Sequence, residues 1–331
     1  MARKKSRKLS VVVVEELQKR SNEGLELAKK TMLAERIEYE KLRKALEHYT
    51  SNWNDFTHPG LFSLACEAVG GRPDNAVQVQ AAITLLAAAF DIHDDIIDGS
   101  KQKHGIPTVF GKYGENIALL LGNAFLIKGF TLFYVSVEQM AQKKTREVVE
   151  ALQESLFELG NAHALELNLR GRINASPEEY MRVVEMKAAS IETDMQIGAI
   201  IGGGSNPEVD ALAKYGRILG TLATLREEFI DIFEVEELNQ RIKSKTLPIP
   251  MLCAFQDARS RTRIKKLIKK EIADKDVEKL LDIVLKSKPV AKLRKHMVDL
   301  STQAAELSSY VRNETISPLL RQLAESTLED L

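Results

Sequence analysis

Apolar residues recur along this chain at three- and four-residue intervals, and the strict alternation of a half-buried strand is absent. The pattern predicts helices over most of the length. Glycine and proline punctuate them in clusters at Gly70 to Pro73, Gly99 to Pro107, Asn174 to Pro177, Gly202 to Pro207, Thr246 to Pro250 and Lys286 to Pro289. Arg20 to His48 reads as one charged amphipathic helix, with Leu25, Leu27, Met32 and Leu33 set among Lys, Arg and Glu. Asn75 to Asp98 has the opposite character, because Ala81 to Phe90 is apolar on every face, and this marks a helix at the centre of a large core. Ser176-Pro177-Glu178-Glu179 places serine at an N-cap, proline at the first helical position and acids in the first turn. The expectation is an all-α fold of at least about ten helices. No fixed-period repeat or composition break divides it, so one domain is expected from residue 13 to 331, behind a basic, disordered tail over residues 1–12.

Composition narrows the function. Of 331 residues, 47 are Lys or Arg and 47 are Asp or Glu, so the chain carries no net charge and no global pull toward nucleic acid. With 44% hydrophobic and 28% charged residues, disorder as the main state is excluded. Cys66 and Cys253 stand far apart without metal-ligand spacing, which leaves no disulfide framework or zinc cluster and fits a reducing, cytoplasmic setting. The apolar stretch Val11 to Val14 is too short for a signal sequence. No unbroken run of ~18 apolar residues occurs, so no transmembrane segment is expected. Arg259 to Lys270 is basic, but it lacks interleaved aromatics and carries the stripe Ile264, Leu267 and Ile268; it reads as a solvated helix face.

The chemistry gathers in acids. Asp91, Asp94, Asp95 and Asp98 fall on one face at the end of the central helix, where like charges repel and the helix dipole disfavours anions. A divalent cation resolves this arrangement, and oxygen-only ligands favour a hard ion such as Mg²⁺. Glu227 and Asp231 form a second pair four residues apart, which alone is a weak signal. Across a helical core from the first cluster it would complete a cage for a bound diphosphate. Glu166 and Lys187 lie on other helices in apolar surroundings, where a core-edge ion pair is the blander reading of each. His93-Asp94 also evokes a phosphohydrolase doublet, but the remaining histidines lack the spacing to support it.

The run Ile92-His93-Asp94-Asp95-Ile96-Ile97-Asp98, followed by Gly105-Ile106-Pro107-Thr108 and Lys112-Tyr113-Gly114, resembles the trans-prenyl diphosphate synthases. Leu121-Gly122-Asn123, Tyr215 to Gly220, the Glu227 to Asp231 motif and Lys245-Thr246-Leu247-Pro248 continue the likeness in family order. The resemblance implies an isoprenoid-synthase fold around a central cavity, usually a homodimer. It further implies a head-to-tail condensation of an allylic prenyl diphosphate with isopentenyl diphosphate, with about two or three Mg²⁺ ions per site. It assigns the metal to Asp94, Asp98, Glu227 and Asp231, and catalytic roles to Asp94, Asp95, Asp98 and Lys187. Substrate contacts fall to His58, Lys103, His104, Lys187, Glu228, Lys243 and Lys245, with Ser244 at the position that aligns most directly with a family lysine. Phe90 and Ala89 occupy the positions that limit product length.

Departures from the family concentrate on the isopentenyl side. Its GKRxRP stretch reads Asn54-Asp55-Phe56-Thr57-His58-Pro59 here, and its Arg-Arg pair is Lys103-His104. Ala87 and Phe110 replace histidines, Ala223-Thr224 replaces Phe-Gln, and His163 and Glu166 replace Gln and Asp. Arginine forks suit diphosphate better than lysine or histidine. Three readings follow: an active synthase with compensating bases such as Lys101 or Arg43, a weak or non-catalytic subunit of a heteromeric synthase, or a terpene-synthase-like enzyme that ionises a prenyl diphosphate.

Overall fold

The computed structural model describes residues 8–103, 105–173, 175–244, 246–268, 272 and 274–329, with Asn75, Glu237, Ser244, Asp274 and Lys275 described by their backbone alone. Of the residues singled out above, His104, Lys245, Lys269, Lys270 and the stretch 1–7 lie outside these. The chain divides into two compact units, one formed by Val14–Val149 with Asp194–Asn206, the other by Met1–Val13, Glu150–Thr193 and Pro207–Leu331.

The first unit draws on helices α1 (Leu9–Leu33), α2 (Glu40–Asn52), α3 (Thr57–Ala68) and α4 (Val77–Asp98). A two-stranded antiparallel hairpin follows, β1 (Gln102–Lys103) and β2 (Ile106–Pro107), and then α5 (Val109–Tyr113), α6 (Glu115–Val137) and the start of α7 (Gln142–Leu169). Helix α4 is the centre the sequence pointed to: Ala81, Leu85, Ala88, Ala89 and Ile92 pack against Ile117, Ala118, Leu121 and Phe125 of α6. Gly122 permits that approach, since a Cβ there would stand 2.4 Å from His93 Nε2.

The long helix expected from Arg20 to His48 is two helices, with a break between Leu33 and Glu40. Arg43 caps the stop, because its guanidinium donates to the carbonyl of Leu33 (3.1 Å), an end group the helix leaves unpaired, and to that of Glu35 (3.0 Å) just beyond it. Apolar periodicity survives the break, so the pattern could not reveal it. The hairpin is too short to produce an alternating pattern. Helix α6 is long and apolar enough, by length and composition alone, to cross a bilayer, but Asn123 and Lys128 interrupt its apolar run and its Ile117, Ala118, Leu121 and Phe125 are buried against α4.

The second unit holds most of α7, then α8 (Pro177–Lys187), the start of α9 (Ala189–Ile201) and α10 (Asn206–Ile230). It continues through α11 (Val235–Ser244), α12 (Ile249–Ala254), α13 (Ala258–Leu267), α14 (Asp274–Leu285), α15 (Lys288–Leu307) and α16 (Ser317–Ser326). Its core joins Tyr180, Val184, Leu225, Phe229, Leu252 and Leu280. The capping box at Ser176 and Glu179 forms as its sequence indicates. On α13 only Ser260 and Ile264 are buried, so its arginines and lysines form the expected solvated face. Helix α1 starts at Leu9, inside the stretch expected to be a disordered tail. The backbone N–H groups of Leu9 and Ser10 donate to the Glu329 carboxylate at 2.9 Å each, a cap supplied from the far end of the chain.

Candidate active site

In the first unit, α4 delivers its acids at its last turns and stops where Gly99 takes a left-handed conformation (φ +68°), its N–H returning to the carbonyls of Asp95 and Ile96. Asp95 is buried, Asp94 half-buried, and Asp91 and Asp98 exposed. Burial pushes the Asp95 carboxyl up to about 6, a rise that nearby Lys103 only partly offsets. Lys103, on β1, sets its Nζ 2.6 Å from Asp91 Oδ1 and makes a close ionic contact of 2.8 Å with Asp95 Oδ1. Burial works against the Lys103 ammonium, but Asp91 and Asp95 hold it protonated above the usual lysine range.

The hairpin that carries Lys103 is pinned in place. His48 Nε2 lies 2.8 Å from the Pro107 carbonyl oxygen, and Thr108 caps α5 by accepting from Gly111 N (2.9 Å) while donating to the Ser100 carbonyl (2.7 Å). Tyr113 donates to the Lys44 carbonyl at 3.1 Å. These bonds give physical roles to Thr108 and Tyr113 of the two motifs.

Beside the acid row lies a cavity of about 520 Å³ whose walls include Tyr49, Trp53, Asp55, His58, Asp91 and Lys103. Tyr49 donates to Asp91 Oδ2 at 3.3 Å, and its ring stands 5.5 Å from that of Trp53. His58, in the first turn of α3, places Nδ1 2.6 Å from Asp194 Oδ2. Burial would lower the His58 imidazolium, but Asp194 and Asp55 outweigh it and raise its pKa to about 9. The Asp194 carboxyl is itself pushed up by burial, with His58 pulling the other way. Both shifts favour proton uptake by the folded pair. Asp55 Oδ1 accepts from the N–H groups of Thr57 (2.9 Å) and His58 (3.4 Å). Among the described residues, this pocket thus sets the carboxylates of Asp55, Asp91 and Asp95, with Asp194 against His58, around the cations Lys103 and His58.

In the second unit, α10 ends with Glu227 exposed and Glu228 buried, and Asp231 follows in the next turn. Glu228 was expected to contact substrate. The structure instead commits both its oxygens to the fold: they accept from Tyr180 Oη (2.8 Å), Arg241 Nη2 (2.9 Å to each oxygen) and Ile249 N (2.9 Å). A buried carboxylate needs such donors. Arg241 also reaches toward Asp231 Oδ2 at 3.5 Å. Lys187 pairs with Glu166 at 2.5 Å, so the core-edge ion pair expected for each residue separately is one they make with each other. Lys243 is exposed, Phe90 is half-buried, and Ala89 is fully buried in the α4 and α6 core. Asp194 and Arg241 were not singled out from the sequence, where each stands as an ordinary charge on a helix.

Among the described residues, no three acids, histidines or cysteines converge on one ready metal position. The donor set still fits Mg²⁺: Asp94 and Asp98, one turn apart on α4, are hard oxygen ligands, and this ion commonly takes one or two carboxylates and completes its shell with water and phosphate.

A family model described as polyprenyl synthetase matches residues 39–284. A short chain isoprenyl diphosphate synthase of Methanothermobacter thermautotrophicus is 33% identical over 199 residues, a stretch spanning 60% of this chain and 60% of that protein. A geranylgeranyl diphosphate synthase of Sulfolobus acidocaldarius is 24% identical over 82% of each chain. The crystal structure of geranylgeranyl pyrophosphate synthetase from Pyrococcus horikoshii Ot3 superposes with a TM-score of 0.83 at 23% identity, over 97% of this chain and 99% of that one. The last likeness establishes the all-α fold shared with that synthetase.

Proposed function

The chain belongs to the polyprenyl synthetase family, and from that premise we propose that it is a prenyltransferase whose donor is an allylic prenyl diphosphate. The observation that carries this reading is the acid row at the end of α4, bounded by Gly99 and set beside a cavity of about 520 Å³. Asp94 and Asp98 would hold Mg²⁺, with Glu227 and Asp231 as the second candidate set. Bound there, the metal would neutralise the diphosphate and help it leave with the bonding electrons. Lys187 and Lys243 remain candidates for the donor phosphates; Lys187 must exchange Glu166 for that role. Ala89 and Phe90 are the candidate limits on chain length.

The charge of the pocket favours a phosphate-free acceptor for the same donor, while the names of the relatives support isopentenyl diphosphate as acceptor and a longer trans-prenyl diphosphate as product. Incubation with dimethylallyl, geranyl or farnesyl diphosphate, labelled isopentenyl diphosphate and Mg²⁺ tests this, and no extension from any primer refutes it. A second reading, a weak subunit paired with an active synthase, is favoured by the neutralised bases of the pocket. Copurification with a second synthase tests that reading.

A homodimer is the proposed assembly of the active form. Its support is the outer face of α6, where Leu120 (53% exposed), Ile127 (68%) and Tyr134 (63%) leave apolar surface uncovered. The two buried free cysteines agree with a cytoplasmic location.

A further inference from the structure

Among the described residues that line the pocket beside α4, two basic groups, Lys103 and His58, already have acidic partners, and a third, His48, lies against the Pro107 carbonyl and Lys112. Lys103 bridges Asp91 and Asp95. His58 faces Asp194, with Asp55 accepting from its backbone. Four carboxylates therefore meet two cations within or directly behind one cavity wall. A diphosphate ester without a metal ion, with a charge of about minus three, would enter a region that is already negative and meet two cations that are each already paired. A phosphate-free molecule meets no such opposition. It finds the rings of Tyr49 and Trp53 along one wall and the amide of Asn52 near them.

Asp91 is the residue on which this selectivity turns. Asp95 is buried and belongs to the acid row, and Asp194 is buried behind His58. Asp91 is the exposed member, with 47% of its side chain accessible. It takes the shorter contact with Lys103, and its other oxygen accepts from Tyr49. The chain therefore does not need Asp91 as a buried element of the fold. What Asp91 does is take one of the two contacts that hold Lys103 against the α4 face, the other being that of Asp95.

We propose that Asp91 is a specificity-determining residue: by holding Lys103 it closes this pocket to acceptors that carry a diphosphate and leaves it open to phosphate-free ones. The proposal rests on the prenyl-transfer reading only in calling the pocket's ligand an acceptor.

The test is a pair of ligand-observed NMR titrations of the full chain, in chelator and without divalent cations. One probe is isopentenyl diphosphate and the other is its alcohol, 3-methylbut-3-en-1-ol. Asp91→Ala and the nearly isosteric Asp91→Asn should each tighten isopentenyl diphosphate by roughly fivefold to tenfold, the scale of one partly exposed ion contact plus one repulsion removed. Both should leave the alcohol within about twofold of its starting affinity, because its binding involves no charge. Lys103→Ala added to Asp91→Ala should remove most of the gain, leaving only the part due to the lost repulsion. Unchanged or weaker diphosphate binding in both variants would overturn the proposal, as would an equal gain for the alcohol or a gain that survives in full without Lys103. Failure of the transfer reading would appear in turnover with an allylic donor and would leave these metal-free titrations untouched.

Discussion

Removing the His58 imidazolium should change how the protein's stability depends on pH. The structure raises this group from its ordinary 6.5 to about 9, through Asp194 at 2.6 Å with Asp55 nearby. The folded state therefore binds a proton that the unfolded chain has released at pH 8. The stability gained is fully present below pH ~6.5 and is lost as pH rises through ~9. A displacement of about 2.5 units at roughly 1.36 kcal/mol each sets a ceiling near 3 kcal/mol. Because Asp194 resists ionisation in the same buried pair, about 2 kcal/mol is the working figure. Urea denaturation followed by far-UV circular dichroism from pH 6 to 10 should show a midpoint that falls across pH 6.5 to 9. His58→Gln should be less stable at pH 6.5 and nearly flat across that window. A flat profile for the unmodified protein, or an unchanged slope in His58→Gln, would refute the reasoning.

Asp95→Asn should stabilise the metal-free protein at pH 7.5 by about 1–2 kcal/mol, since ionising a carboxyl raised to about 6 costs folding energy above that pH. The gain should shrink as pH falls through 6 and vanish below about 4, a trend that melting midpoints at three pH values would check. Gly122→Ala should cost about 1–3 kcal/mol, because the new methyl would stand 2.4 Å from His93 Nε2 between two packed helices. Thermal melting reads that loss, and an unchanged midpoint would mean that α4 and α6 adjust freely.

Much of the architecture was legible in local pattern. The apolar run Ala81 to Phe90 announced a buried central helix, and the Ser176 to Glu179 signature announced a capped start, because each depends on neighbours within a turn or two. The break between α1 and α2 was not legible, since it depends on Arg43 reaching back to carbonyls eight and ten residues away. The Glu329 cap on Leu9 joins residues 320 apart, beyond any local signal. At the site, the carboxylate spacing identified the acid row, and the apolar segments around Lys187 and Glu166 suggested an ion pair for each, while their pairing with one another is visible only in the structure. The partners that decide the charge of the pocket, Asp91 for Lys103 and Asp194 for His58, come from separate elements. Glu228 was misread because carboxylates at a helix end look alike until burial separates the exposed Glu227 from the buried anchor beside it.

The central claim is that Asp94 and Asp98 hold the metal through which an allylic diphosphate is bound. Calorimetric titration of a non-ionising allylic thiodiphosphate, with and without Mg²⁺, tests it most directly. The account predicts binding only with Mg²⁺, and a loss of at least about 100-fold in Asp94→Ala combined with Asp98→Ala, on the scale of about 2.7 kcal/mol. Equal binding without the metal, or undiminished Mg²⁺-dependent binding in the double variant, would contradict it.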